Sequence, residues 1–301
     1  MFKGWFIGMQ NTVFPMIVDL WVNIVNMLAS WLLSFYTPLG ISGVAVGTLV
    51  AQWTGLALAF LMMYSRYRSL MRQTTILHSM KWKYFRGFFS VNSFLFIRSL
   101  LMLVVYEGFT IFAARFGDVE LAVSSVMMHL LLLYSYFVDG FAYAGEALTG
   151  RFIGEASPDG VRSTIRQTFV WSLGVTVLFF LVYGVGGVPL LRLMTSDASV
   201  VDAGREFIPW LLLMPVIGCP AFTWDGIFTG ATASKDLRNS TVWCVVGFFG
   251  VWFAGIGLLK ALLGTVPETL AIHLLMAAYF THLLVRAAYL TLRWRKAIPY
   301  A

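Results

Sequence analysis

Eight times along this chain a run of roughly 20 or more mostly apolar residues ends in a polar break, and a run of that length is what an α-helix needs to cross a bilayer. The runs cover approximately Val13–Tyr36, Ile41–Tyr64, Phe88–Ala114, Glu120–Leu148, Thr168–Leu193, Glu206–Gly230, Thr241–Leu263 and Pro267–Leu292. Five breaks carry turn chemistry: "YTPLG", "RFGDVE", "EASPDG", "MTSDAS" and "GTVPE". Only 12% of the residues are charged and 59% are apolar. Soluble domains need about 25% charged residues to coat themselves, so lipid is the solvent this surface suits. The pattern predicts an all-α polytopic membrane protein with about eight transmembrane helices.

The charges set an orientation. The break between the second and third runs is long, Ser65 to Gly87, and carries Arg66, Arg68, Arg72, Lys81, Lys83 and Arg86. Basic residues favour the cytoplasmic side. With this break inside, both termini are cytoplasmic, and the inner segments hold 15 of the 21 basic residues against four outside. The net charge of +7 is therefore spread over short loops, and no face is basic enough to suggest nucleic acid. Cys219 and Cys244 lie in apolar runs and form no metal or disulfide spacing. No H-E-x-x-H or G-x-S-x-G occurs and the four histidines are scattered, so the chain does not read as an enzyme. The first residues lack the apolar run and cleavage site of a signal peptide.

Two stretches repeat. "GWFIG" at Gly4–Gly8 matches "GIFTG" at Gly226–Gly230, and Thr12 matches Ser234. Each leads into an inner loop followed by two further spans. Same-sense repeats are the parallel kind used by two-halved transporters. Four spans separate the long basic break from the second copy's loop, whereas almost nothing precedes the first. If the halves are equivalent, the chain lacks three spans and most of a fourth. The glycine pairs Gly43/Gly47 and Gly226/Gly230 also suit close helix packing in lipid.

The segments "GWFIGMQNT", "VNIVNMLASWLLSF", "ISGVAVGTLVAQW", "YFVDGFAYAGEALTGRFIG" and "WDGIFTGATASKDLRNS", in this order and spacing, resemble the multidrug and toxin extrusion (MATE) family and its DNA-damage-inducible protein F branch. The resemblance implies helices 5–12 of a twelve-helix, two-lobe bundle. Residues 1–64 would be the remnant of the N-terminal lobe, 65–87 a basic cytoplasmic linker, and 88–301 a complete C-terminal six-helix lobe. The implied activity is secondary antiport in a bacterial inner membrane. Organic, often cationic compounds or drugs would leave in exchange for protons or sodium as two lobes rock, with no cofactor and with the protein acting as a monomer. Two alternatives stand beside it: a flippase for lipid-linked sugars, and an inactive truncated fragment.

Ionisable groups at bilayer depth mark pathways or pairs. Arg98 and Asp139 fall on neighbouring antiparallel spans at about the same depth, roughly 14–15 Å from the inner ends at about 1.5 Å per residue. Glu107 and His129 are level nearer the outer ends. Arg98–Asp139 and Glu107–His129 are therefore expected pairs, serving either as packing or as a proton or cation site. Asp225, Glu146 and Arg286 lie near inner ends, where snorkelling to the interface would explain them; His273 would be interfacial at the outer end. Asp19 and His282 complete the ionisable set. Phe141 and Tyr143, beside Asp139, are candidates for cation–π contact with flat cations. Asn23 and Asn26 share a helix face. The family resemblance places an ion site at an N-x-x-N pair followed four positions on by an acid, together with a first-helix acid. Here Ser30 stands at that fourth position, leaving Asn23, Asn26, Ser30, Thr48 and Gln52 as the lining of a polar cavity.

Overall fold

A computed structural model of the chain describes residues 2–73 and 82–300. Helices make up nearly all of them. In chain order these are α1 (Phe2–Gly8), α2 (Val13–Phe35), α3 (Ile41–Gln73), α4 (Trp82–Ala113), α5 (Asp118–Gly154), α6 (Pro158–Met194), α7 (Ala198–Gly204), a single 3-10 turn (Arg205–Phe207), α8 (Ile208–Gly230), α9 (Ser234–Leu263) and α10 (Glu268–Ala297). Eight segments are long and apolar enough to cross a membrane, as the hydropathy pattern predicts. Most helices run beyond the apolar stretch. α5 and α6 each have 37 residues, about 55 Å at about 1.5 Å per residue, against a hydrocarbon core of about 30 Å. Hydropathy senses only the lipid-facing part, whereas polar flanking turns continue the helix. For that reason much of the expected 65–87 linker is helical: α3 continues to Gln73 and α4 begins at Trp82. Residues 74–81, Lys81 among them, lie outside the described residues.

The chain divides into two compact units, Met1–Gly87 and Phe88–Ala301. In the first, α2 and α3 form a tight antiparallel pair. A Cβ on Gly43 or Gly47 would overlap the α2 backbone at Leu33 or Ser30, which is why small residues stand there. Phe6, Val18 and Ala59 make the small buried cluster of this unit.

In the second unit α8 is central, packing against α5, α6 and α10, while α9 packs on α10. Its buried core is rich in aromatics, among them Tyr134, Tyr183, Phe248 and Tyr279. Pro215 and Pro220 interrupt α8. Proline removes an amide donor and bends the helix, turning carbonyls outward. The Pro215 carbonyl accepts from the Tyr134 hydroxyl (2.9 Å) and the Thr176 hydroxyl (3.4 Å), which ties α5 and α6 to α8. Further along α8, a Cβ on Gly226 would collide with the Ala142 backbone and one on Gly230 with the Glu146 backbone. Backbone contact at these glycines fixes the height and rotation of α5 against α8, and with them the direction of the acids on α5.

Candidate functional site

Tyr136, Asp139, Tyr143 and Glu146 are spaced three, four and three residues apart, which aligns them on one face of α5. All four line a cavity of about 310 Å³ in the second unit. α4 contributes Arg98, Met102 and Tyr106; α8 contributes Phe222, Asp225 and Thr229; α10 contributes Arg286. Tyr136 and Tyr143 are exposed at its rim, whereas Asp139 and Glu146 are half-buried. Among the described residues neither carboxylate has an ion-pair partner or a hydrogen bond.

The strongest polar contact in the cavity is one the spacing did not anticipate. Arg98 pairs with Asp225, its Nη2 donating to Oδ2 at 2.6 Å, and not with Asp139. Arg286 Nη1 donates to the same oxygen at 2.7 Å. Depth alone suggested Arg98–Asp139, but depth fixes a residue's height and not the direction it faces. Asp225 on the third helix lies closer to both guanidiniums. Snorkelling is also excluded for the two partners expected to use it: Arg286 is 1% exposed and lies over the Phe222 ring at 5.4 Å, and Asp225 is the hub of the triad. Arg286 sits 11 residues from the true end of α10 at Ala297, about 16 Å in, because the helix outlasts its apolar run.

Glu107 and His129 are not brought together. Both are exposed, and the His129 ring donates from Nδ1 to the Ser125 carbonyl at 2.7 Å. That hydrogen bond within the helix orients the ring along its own helix. Phe141 points away from the cavity and stacks on Trp171, with ring centroids 6.0 Å apart; Tyr143 does face it. At the outer end, half-buried His273 accepts from the Trp210 indole at 3.0 Å. His282 is fully buried, and neither ring nitrogen has a hydrogen-bond partner among the described residues.

The first unit has its own cavity, about 430 Å³, lined by Asp19, Asn23 and Gln52 together with Lys3, Phe6 and Gly55. Asp19 is ion-paired with Lys3. Asn26 turns from this lining and donates to the Thr48 hydroxyl at 3.0 Å, while Thr48 and Ser30 both donate to the Val44 carbonyl, at 3.0 and 3.4 Å. The expected polar cluster thus separates into a lining set and a set that bonds α2 to α3. No group of three or more metal-ligating side chains occurs among the described residues.

Sequence reasoning did not assign Arg286, Tyr106, Tyr136 and Phe222 to the site. The tyrosine–acid spacing on α5 was a readable signal for Tyr136; nothing in the sequence shows that Arg286 reaches Asp225.

The MatE family model matches residues 95–253, which is more than half the chain and includes Arg98, Asp139, Glu146 and Asp225. The chain is 30% identical to DNA damage-inducible protein F of Escherichia coli K12, over 81% of this chain and 53% of that protein. It is 26% identical to human multidrug and toxin extrusion protein 1, over 82% of this chain and 42% of that protein. It spans about half the length of these relatives. In fold it matches a mutant of the Vibrio cholerae MATE transporter VcmN with a TM-score of 0.82 at 17% identity, over 98% of this chain and 65% of that one.

Proposed function

This chain belongs to the MatE family, and from that premise we propose that it serves as a secondary antiporter, exporting organic, often cationic compounds in exchange for protons or sodium as two lobes rock. Residues 88–301 act as the C-terminal lobe and 1–64 as part of the N-terminal one. The protein works as a monomer in a bacterial inner membrane, with both termini cytoplasmic and no cofactor.

The observation that carries this reading is the α5 stripe. Asp139 and Glu146 are carboxylates at membrane depth with no protein cation bonded to them, and each has a tyrosine three residues earlier. A carboxylate attracts a cation or takes a proton, and the two compete for the same oxygens. Binding of one therefore lowers affinity for the other by the same factor, which is what exchange requires. The tyrosine rings add cation–π attraction, about 0.5–2 kcal/mol each depending on how dry the contact is. Asp225 is less suited to the exchange because two guanidiniums already occupy it.

The test is tetraphenylphosphonium movement in vesicles holding the reconstituted chain, under an imposed pH gradient or an imposed sodium gradient. Exchange driven by one gradient and lost in Asp139→Asn supports the reading. Movement that ignores both gradients, or that is unchanged in Asp139→Asn, refutes it.

A further inference from the structure

A second cavity of the Phe88–Ala301 unit lies on its lipid-facing side, between α6 and α8, and shares no lining residue with the charged one. It holds about 560 Å³. Phe169, Leu173, Val177 and Leu181 form its α6 wall, and Val216 and Pro220 its α8 wall. Leu173, Val177, Leu181 and Val216 are each more than half exposed, so in a bilayer they face hydrocarbon. The polar groups of the lining are engaged or weak. Thr176 is bonded to Tyr134 and to the Ser172 carbonyl, and the Cys219 thiol is a weak donor. The groove therefore suits an alkyl chain and offers little to a polar ligand.

Its length fits one leaflet. Phe169 and Leu181 are 12 residues apart on α6, about 18 Å at about 1.5 Å per residue, against about 15 Å for half of the hydrocarbon core. It starts where the apolar run of α6 starts, at Thr168. Before that point the same helix stripe turns basic. Arg162, Arg166, Phe169, Leu173 and Val177 recur at intervals of three or four residues, so two arginines continue the groove's line toward the start of α6. Both are exposed, and neither is in an ion pair among the described residues. Helical side chains lean toward the helix N-terminus, which carries both guanidiniums to headgroup level. Asp159 shares the stripe but lies further out, in the first turn of α6, where an acid complements the helix dipole.

An alkyl chain gains little by leaving lipid for a protein wall, because both are equally apolar. Shape alone would let lipids come and go, so selectivity has to come from the headgroup. A guanidinium pair meets a phosphate through forked, charge-assisted hydrogen bonds and stays charged. We propose that this groove is a binding site for one anionic phospholipid. An acyl chain lies along Phe169–Leu181, and the phosphate end rests on Arg162 and Arg166. The lipid belongs to the leaflet that meets the start of α6, which is the cytoplasmic one in the orientation proposed above. A headgroup with net negative charge balances the arginines; a zwitterionic headgroup does not.

Native mass spectrometry tests it by counting lipids on the purified chain, delipidated in detergent and titrated with dioleoyl phosphatidylglycerol or dioleoyl phosphatidylcholine. The first phosphatidylglycerol is expected to bind at least about fivefold more tightly than the first phosphatidylcholine, about 1 kcal/mol, the scale of one basic residue near a membrane surface. Leu173→Trp fills the groove and should abolish that first binding step. Leu178→Trp, exposed to a similar degree on α6 but outside the lining, should leave it intact. Arg162→Gln/Arg166→Gln should bring the two lipids to parity. Dihexanoyl phosphatidylglycerol, with the same headgroup on short chains, should not displace the dioleoyl lipid. Every variant replaces an exposed side chain, and circular dichroism checks that helix content is kept. Equal binding of the two lipids overturns the proposal, as does a preference that survives either Leu173→Trp or the double arginine change. Displacement by the short-chain lipid overturns it by assigning binding to the headgroup alone. A dimer of the chain that disappears in Leu173→Trp overturns it by giving the groove to a second copy.

Discussion

Replacing Asp225 by asparagine keeps the shape of the side chain and deletes the charge that two guanidiniums share. Arg286 has almost no access to solvent, whereas Arg98 and Asp225 keep 22% and 16% of theirs. Removing one partner of a buried ion pair costs about 3–5 kcal/mol. The amide oxygen still accepts one hydrogen bond, and Arg98 can turn to water, so the expected loss lies near the lower end, about 3 kcal/mol. Most of it falls on Arg286. The double variant Asp225→Asn/Arg286→Met should therefore be less destabilised than the two single changes together, by at least about 1 kcal/mol. The assay is reversible unfolding of the purified chain in mixed micelles, followed by circular dichroism as the denaturing detergent fraction rises. Additivity within about 0.5 kcal/mol would show that the two residues do not depend on each other, and would refute the triad.

Three further outcomes follow from local geometry. Gly226→Val drives a branched side chain into the Ala142 backbone, which cannot yield as a side chain would; it should cost at or above the upper end of about 1–3 kcal/mol in the same unfolding assay, against little for Gly250→Val, where a Cβ meets nothing. Ser157 caps α6 by accepting from the Gly160 amide at 3.2 Å, with Pro158 in the first turn, so Ser157→Ala should lose about 1 kcal/mol and Ser157→Asp should retain most of it. At the start of α7, the Ser199 hydroxyl and amide donate to Asp197 and hold its carboxyl below the usual carboxylate range. A lowered folded-state value gives stability that is present above the unfolded-state pKa and is lost as pH falls through the folded-state pKa. Asp197→Asn should therefore flatten the pH dependence of unfolding in that acid range and leave it unchanged at neutrality.

Much of this arrangement was legible in the residues. Hydropathy alone located all eight spans, because only lipid tolerates such runs, and Gly226 with Gly230 marked the backbone contact between α5 and α8. The site was legible in part. Arg98 and Asp139 could be singled out as charges at depth, Glu146 and Asp225 only as ionisable groups near the inner ends, and the partners of none of them could be read. Counting residues from a span's end gives height. It does not give rotation about the helix axis, nor which third helix closes the gap. Arg98 was matched to Asp139 by height and went to Asp225 by direction. The apparent end of a span also misleads, since α10 continues to Ala297 and places Arg286 deeper than its apolar run suggests. Glu107 and His129 fail for a different reason: both face outward, where the backbone carbonyl of Ser125 is the nearer partner for the imidazole.

The proposed exchange of a proton for a cation at Asp139 is tested most directly by counting protons. Tetraphenylphosphonium is titrated into the chain in nanodiscs, in weakly buffered solution near neutral pH, with bound cation and released protons measured together. Proton release is expected on binding, suppressed as the starting pH is raised, with both binding and release greatly reduced in Asp139→Asn. For sodium coupling, the corresponding signal is competition by sodium at constant ionic strength, again removed by Asp139→Asn. Tight binding with neither proton release nor sodium competition, unchanged in Asp139→Asn, would contradict it.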